Sequence, residues 1–209
     1  MLEVPVYNTA GEKIDTMGVD EAALGGTVNV DLLKQAIVAY HANRRQSSAA
    51  NRSRSMVAGT TKKAYAQKHT GHARRGDLKT NLLRGGGVAF AKRPRDFRKA
   101  LPKKMRRRAL QSAVLAKVLG QDLAVVEGLA FEAPQTKRMA EVLRNLHVDR
   151  SCLLALGAAD RNAYLSGRNI PHLAVRPVRE LNAFDVATRQ KMLVTREAMA
   201  ALLGGEERP

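Results

Sequence analysis

The chain has 209 residues, a formal net charge of +17 and a pI near 10.7. This length accommodates one average domain plus an extension, and the charge points to a polyanionic partner, most commonly nucleic acid. The longest uncharged apolar stretch, Cys152 to Ala159, is too short to span a bilayer, so no membrane partner is expected. With no apolar leader after Met1 and a single cysteine, we expect an intracellular protein in a reducing compartment.

The first 43 residues predict a hairpin followed by a helix. Val4, Val6 and Ile14 indicate two short strands around Gly11. Between Asp31 and Asn43, apolar residues recur at i, i+3, i+4 and i+7, the stripe of an amphipathic helix, at Leu33, Ala36, Ile37 and Tyr40. Asn29 or Asp31 is the expected cap of this helix.

The positive charge is concentrated in one internal stretch, Arg44 to Arg108, which we call the basic segment. It holds 21 of the 36 Lys and Arg residues but only two acids, Asp77 and Asp96. The rest of the chain is therefore close to neutral. We expect the basic segment to carry the binding of the polyanion.

The first part of the basic segment, Gln46 to Arg93, predicts a long extended internal loop, which we call the arm. Its large apolar residues are few and unpatterned, so it buries too little surface to offset its conformational entropy. A disordered linker is the alternative. Charge of nearly one sign and the glycines Gly71, Gly76 and Gly85 to Gly87 favour an arm that its ligand orders.

Three further helices are predicted after the arm. One runs from Pro102 to Gly120 with a narrow face of small residues, one follows Pro134, and the last spans Arg196 to Leu203. The small-residue face consists of Met105, Ala109, Ala113 and Ala116. The first turns of the Pro102 helix carry Lys103, Lys104, Arg106, Arg107 and Arg108. Cations there oppose the helix dipole, unless a phosphate lies across that end.

Short continuous apolar runs separate these helices and predict strands that are buried on both faces. The runs are Leu123 to Val126, Leu153 to Leu156, Leu173 to Val175, and Met192 to Val194. Strands that alternate with helices imply βαβ units. The residues therefore indicate a single α/β domain over residues 1–209, with a mainly parallel sheet of about four strands and the arm inserted at 46–93.

Signals for catalysis are weak. The chain has neither GxxxxGK[ST] nor GxGxxG, and His69 and His72 lack an accompanying carboxylate or thiol. Cys152 opens an apolar strand and is expected to pack in the core. Acids near element ends are expected to cap helices or lie in solvated loops: Asp122, Glu127, Asp149, Asp160 and Asp185. We expect no enzyme, no cofactor, no metal and no small-molecule substrate.

The residue order is informative beyond composition. Residues 67–110, QKHTGHARRGDLKTNLLRGGGVAFAKRPRDFRKALPKKMRRRAL, resemble the signature of the fourth protein of the large ribosomal subunit, in its bacterial form. The preceding IVAYHANRRQSSAANRSRS and the later LAVVEG and EAPQTKRMAEVL are similar to the same family. The resemblance covers nearly the whole chain.

The resemblance implies a three-layer α/β/α domain and a long loop that threads through large-subunit ribosomal RNA in the cytoplasmic ribosome. It also implies neighbouring large-subunit proteins as partners, and a loop tip that lines the nascent-peptide exit tunnel. By position the tip would comprise Tyr65, Gln67, Lys68, His69, Thr70, Gly71, His72 and Arg74. The chain departs from the family pattern at Ala64-Tyr65, where Pro-Trp is common, and at His69 and His72, where Gly and Arg are common.

The residues expected to bind ribosomal RNA are the following: Arg44, Arg45, Arg52, Arg54, Lys62, Lys63, Lys68, Arg74, Arg75, Lys79, Arg84, Gly85, Gly86, Gly87, Lys92, Arg93, Arg95, Arg98, Lys103, Lys104, Arg106 and Arg107. Two alternatives remain open. One is a regulator that binds messenger RNA of its own operon outside the ribosome. The other is an RNA-modifying enzyme with a basic arm, which would need a cofactor motif or convergent acids.

Overall fold

In the computed structural model, which describes residues 2–204, the chain begins with an antiparallel hairpin of β1 (Leu2–Tyr7) and β2 (Lys13–Val19). Gly11 has a φ of +89° in the connection, and a Cβ there would collide with the backbone carbonyl of Asn145. A residue with a side chain would therefore be strained and obstructed at this turn. The predicted hairpin around Gly11 is confirmed.

Four further strands extend this hairpin into a six-stranded sheet, with strand order β2-β1-β3-β6-β4-β5. They are β3 (Leu123–Val126), β4 (Cys152–Leu156), β5 (Leu173–Pro177) and β6 (Lys191–Thr195). Every strand pair except β1 with β2 is parallel. The expected count of about four strands is too low, because β1 pairs with β3 and brings the hairpin into the same sheet.

The helices of the described residues are α1 (Val30–Asn43), α2 (Lys103–Leu119), α3 (Thr136–Asn145), α4 (Arg161–Gly167), α5 (Ala183–Thr188) and α6 (Arg196–Leu203). A 3-10 turn spans Val178–Glu180. The sequence predicted α1, α2, α3 and α6 but not α4 or α5, which are too short to display a helical period. Their local signals are the caps Asp160 and Asn182, whose side chains accept hydrogen bonds from the first-turn amides.

The sheet lies between two helical layers, as its alternating side chains demonstrate. In β6, Met192 and Val194 belong to the core that α1, α2, α5 and α6 share, whereas Leu193 belongs to the core of α3 and α4. Successive strand residues point to opposite faces, so β6 contributes to both cores. The expected three-layer α/β/α class is confirmed.

Two predicted helix faces differ from those in the fold. The buried residues of α1 are Leu32, Ala36 and Ala39, so its face is rotated partly away from the expected stripe, of which Ala36 is buried and Leu33 and Tyr40 are half-buried against the same core. Asn29 caps the helix by accepting a 2.9 Å hydrogen bond from the Leu32 amide. In α2 the predicted face was too narrow and wrongly included Ala116, which is exposed. The wide buried face runs from Ala109 to Val118, because α2 packs in a core shared with the sheet, α1 and α5.

The chain divides into two compact units. One comprises the sheet and its helices, up to His41 and again from Lys99, and we call it the α/β unit. The other comprises residues 42–98 and contains the arm. Within 42–98, all of which the structure describes, Gly87 is the single residue classed as buried. This second unit therefore has no hydrophobic core of its own.

Candidate nucleic-acid interface

The arm is organised by hydrogen bonds between its two limbs. Two backbone amides donate across it: Asn51 to the carbonyl oxygen of Lys92 (2.9 Å) and Val88 to that of Arg52 (2.9 Å). Just beyond the arm, the Arg95 amide donates back to Ser47 Oγ (2.7 Å). The partners pair early residues with late ones, so the limbs run antiparallel within this unit. Backbone pairing, rather than side-chain burial, therefore holds the arm's conformation.

The triple glycine packs tightly against backbone, and at Gly87 that backbone belongs to the opposite limb. A Cβ at Gly87 would collide with the backbone of Arg54, and one at Gly86 with the carbonyl oxygen of Thr80. Gly85 has a φ of +82°, in the region that favours glycine. These residues were predicted to bind RNA, and the geometry assigns Gly86 and Gly87 a packing role that sequence inspection missed.

The predicted tip is a loop closed by a 2.8 Å hydrogen bond from the Ala64 amide to the carbonyl oxygen of Gly76. Inside it, the Tyr65 hydroxyl donates to the carbonyl oxygen of Ala73, and the Tyr65 ring centroid lies 6.0 Å from that of His72. His69 adopts a φ of +63°. The tip residues predicted from 65 to 74 are thus brought together in one small loop.

Phe97 holds two of the predicted RNA-binding cations. The guanidinium carbons of Arg45 and Arg95 lie 4.0 Å and 4.5 Å from its ring centroid. A stacked guanidinium interacts through its planar face and retains an N–H edge for phosphate oxygens. Sequence reasoning missed Phe97, although an aromatic residue amid arginines is the signal that could have identified it.

The predicted cations form an exposed set. All the lysine and arginine side chains expected to bind RNA are exposed except that of Lys79, which is half-buried and whose Nζ lies 3.5 Å from the carbonyl oxygen of Gly59. Of the two acids, Asp96 accepts a 2.8 Å hydrogen bond from the Arg98 amide and Asp77 is half-buried. The surface of the basic segment is therefore dominated by positive charge.

The first turns of α2 form a second cationic surface. The N-cap is Pro102, which supplies no side-chain hydrogen bond, and the first turn contains no acid. Lys103, Lys104, Arg106 and Arg107 are exposed there. An anion at this end would be favoured by these side chains and by the unpaired backbone amides alike.

Comparison with known proteins explains why these features occur together. Residues 17–204 match the model of the ribosomal protein L4/L1 family. The chain belongs to this family. The large ribosomal subunit protein uL4 of Symbiobacterium thermophilum is 40% identical over 200 residues, which cover 96% of this chain and 97% of that protein. A protein of the same name from Dehalococcoides mccartyi is 41% identical over 198 residues, which cover 95% of this chain and 94% of that protein. Another from Rhodopirellula baltica is 37% identical over 206 residues, which cover 98% of this chain and 93% of that protein.

Membership of the ribosomal protein L4/L1 family makes the protein a structural, non-enzymatic one. Among residues 2–204 no group of three or more His, Cys, Asp or Glu side chains is placed to hold a metal ion. Over the same described range, no helix is both long and apolar enough to cross a membrane.

Cys152 lies in the core at 1% exposure, where burial raises the pKa of its thiol to about 12.

Proposed function

We propose that this protein stabilises the fold of large-subunit ribosomal RNA through its arm and the first turns of α2, and that the tip of the arm lines the nascent-peptide exit tunnel. Family membership supports the coarse part directly. As a member of the ribosomal protein L4/L1 family, the protein is a structural constituent of the large ribosomal subunit in the cytoplasm. There it associates with ribosomal RNA and neighbouring ribosomal proteins.

The observation that supports a binding role for the arm is the exposure of its cations on a backbone-paired scaffold. Limbs held by amide–carbonyl hydrogen bonds leave the lysine and arginine side chains to interact with phosphates. Arginine forms bidentate contacts with phosphate, and neutralisation of phosphates releases counterions. Such an arm would stabilise RNA helices where their backbones converge.

Individual residues divide by role within this proposal. The exposed lysines and arginines predicted from sequence are the phosphate ligands. The half-buried Lys79 and the packed Gly86 and Gly87 maintain the arm's shape. At the tip, Gln67, Lys68 and Thr70 face the tunnel, while the tether from Tyr65 to Ala73 preserves the loop.

Replacement of Gln46 to Arg93 by a short Gly/Ser linker tests the RNA-binding role. The variant should retain the circular dichroism of the α/β unit and bind large-subunit RNA weakly. If the arm and α2 together contact about ten phosphates, the wild-type log–log salt slope should be near −7. A deletion variant with wild-type affinity and salt slope would exclude the arm as the binding element.

Site-specific crosslinking tests the tunnel role. A photoreactive amino acid placed at Gln67 should crosslink to a stalled nascent chain in assembled ribosomes. The same amino acid at Ile14, which is 57% exposed in the α/β unit, is the control and should not crosslink. Equal labelling from both positions, or none from Gln67, would contradict the proposal for the tip without affecting RNA binding.

A further inference from the structure

The α/β unit contains a groove that charge counting along the chain does not reveal. It is bounded by the end of α1, the first turns of α2, and the 3-10 turn Val178–Glu180 with the residues that follow. Its volume is about 260 Å³. Pockets for small ligands generally range from about 300 to 1,000 Å³, so this groove is of a size for about one nucleotide and not for a duplex.

Four cations line the groove. Lys103, Arg106 and Arg107 come from α2, and Arg179 comes from the 3-10 turn, far along the chain from the basic segment. One acid lines it, Glu180, whose Oε2 lies 3.4 Å from Nη1 of Arg176 in an exposed ion pair. The local charge is strongly positive even with this acid included, so the groove favours an anionic group such as a phosphate.

The remaining walls are apolar or already occupied by internal hydrogen bonds. Leu110 and Leu181 are buried lining residues, and the half-buried Tyr40, which also packs against the core, is the aromatic residue of the lining. Asn182, the other polar residue, caps α5: its Oδ1 accepts from the Asp185 amide at 2.9 Å and its Nδ2 donates to the Asp185 carboxylate at 2.8 Å. The groove therefore offers cations and one aromatic residue but few groups that could read base edges.

We propose that this groove binds one nucleotide of a single-stranded RNA segment. Its phosphate lies among Lys103, Arg107 and Arg179, and its base stacks on Tyr40. Aromatic stacking combined with phosphate contacts is the recurring chemistry of sequence-tolerant single-strand binding. This inference rests on the proposed function in that RNA is the partner. It adds Tyr40 and Arg179, two residues outside the predicted RNA-binding set.

Fluorotyrosine NMR on the full-length protein separates the groove from the arm. The chain has four tyrosines, so uniform 3-fluorotyrosine labelling gives four probes: Tyr40 in the groove, Tyr65 in the arm, and Tyr7 and Tyr164 as references. Tyr40→Phe assigns the groove signal. A uridine trinucleotide should shift the Tyr40 resonance in a saturable manner.

Matched charge variants identify the phosphate site. Arg179→Gln should weaken the Tyr40 titration by about tenfold or more, as loss of a charge-assisted hydrogen bond predicts. Arg168→Gln removes the same charge from an exposed position at the end of α4 and should leave the titration unchanged. Glu180→Gln should tighten it. Arg179 is exposed, so its substitution does not disturb the core.

Each adverse outcome is distinct. If the Tyr40 resonance does not move, or moves equally with inorganic phosphate, with a stable RNA duplex or with an acidic peptide, the nucleotide site is wrong. If Arg179→Gln and Arg168→Gln act alike, the effect is general electrostatics and the site is again wrong. A large-subunit RNA fragment that shifts Tyr65 but not Tyr40 overturns only the groove. A fragment that shifts neither overturns the proposed function as well.

Discussion

The guanidinium of Arg108 donates a 2.6 Å hydrogen bond from Nη2 to the backbone carbonyl oxygen of Gly25. Gly25 has a φ of +93° in the loop that follows β2, next to Leu24, which is 1% exposed in the core. Arg108 therefore anchors the loop that places Leu24. In sequence it is one of five similar cations, but its contact makes it a structural residue.

We predict that Arg108→Gln lowers the free energy of unfolding by about 1 kcal/mol, the typical contribution of an intramolecular hydrogen bond. Urea unfolding measures this change. Arg107→Gln is the control, and it should leave stability unchanged while it reduces the salt slope of RNA binding by about 0.7. The reverse pattern, with Arg108 altering the slope and not the stability, would make Arg108 a phosphate ligand.

A second prediction concerns the close approach of the two limbs of the arm. A Cβ at Gly87 would overlap the backbone of Arg54 and force the two limbs apart, which costs on the order of 1–3 kcal/mol. Gly87→Ala should therefore weaken binding to large-subunit RNA by about tenfold. Filter binding at fixed salt measures the change. Gly76→Ala is the control, since its Cβ would meet no atom within 4 Å. Equal affinities of the two variants would show that limb spacing does not matter for binding.

Cys152 gives a prediction about pH. Burial raises the pKa of its thiol from 9.0 to about 12, so above pH 9 the unfolded chain loses a proton that the folded chain keeps. The free energy of unfolding should therefore decrease as pH rises above about 9 through this group. Alkylation near pH 8.5 should be at least about 100-fold slower in the folded protein than in denaturant. Rapid alkylation of folded protein would contradict the buried placement.

The cap of α4 yields a stability prediction. The Asp160 side chain accepts hydrogen bonds from the amides of Asn162 (2.8 Å) and Ala163 (3.2 Å). Asp160→Ala should reduce the free energy of unfolding by about 1 kcal/mol, the usual cost of losing an N-cap. Asp149→Ala removes the same charge from an exposed position and should have a smaller effect in the same thermal melts. Equal losses would attribute the effect to charge alone.

The sequence by itself determined the features that local patterning encodes. The apolar residues Met139, Val142 and Leu143 recur at helical spacing and form the buried face of α3. The continuous run from Leu123 to Val126 became a strand buried on both faces. Both predictions are confirmed because the spacing of apolar residues along a helix or strand is a local property of the chain. The concentration of charge, which singled out the basic segment, is equally visible without a fold.

Only the tertiary structure decided which distant residues meet. Strand β6 lies between β3 and β4, and the periodicity of the sequence does not predict this strand order. Arg108 has a structural role that its neighbouring cations lack, because it donates a hydrogen bond to the carbonyl oxygen of Gly25. Gly87 acquired a packing role because the opposite limb passes beside it, and Arg179 joined the cations of α2 because β5 ends near them. The physical reason is common to all four: long-range contacts depend on how elements pack in three dimensions, while composition and spacing record only what lies along the chain.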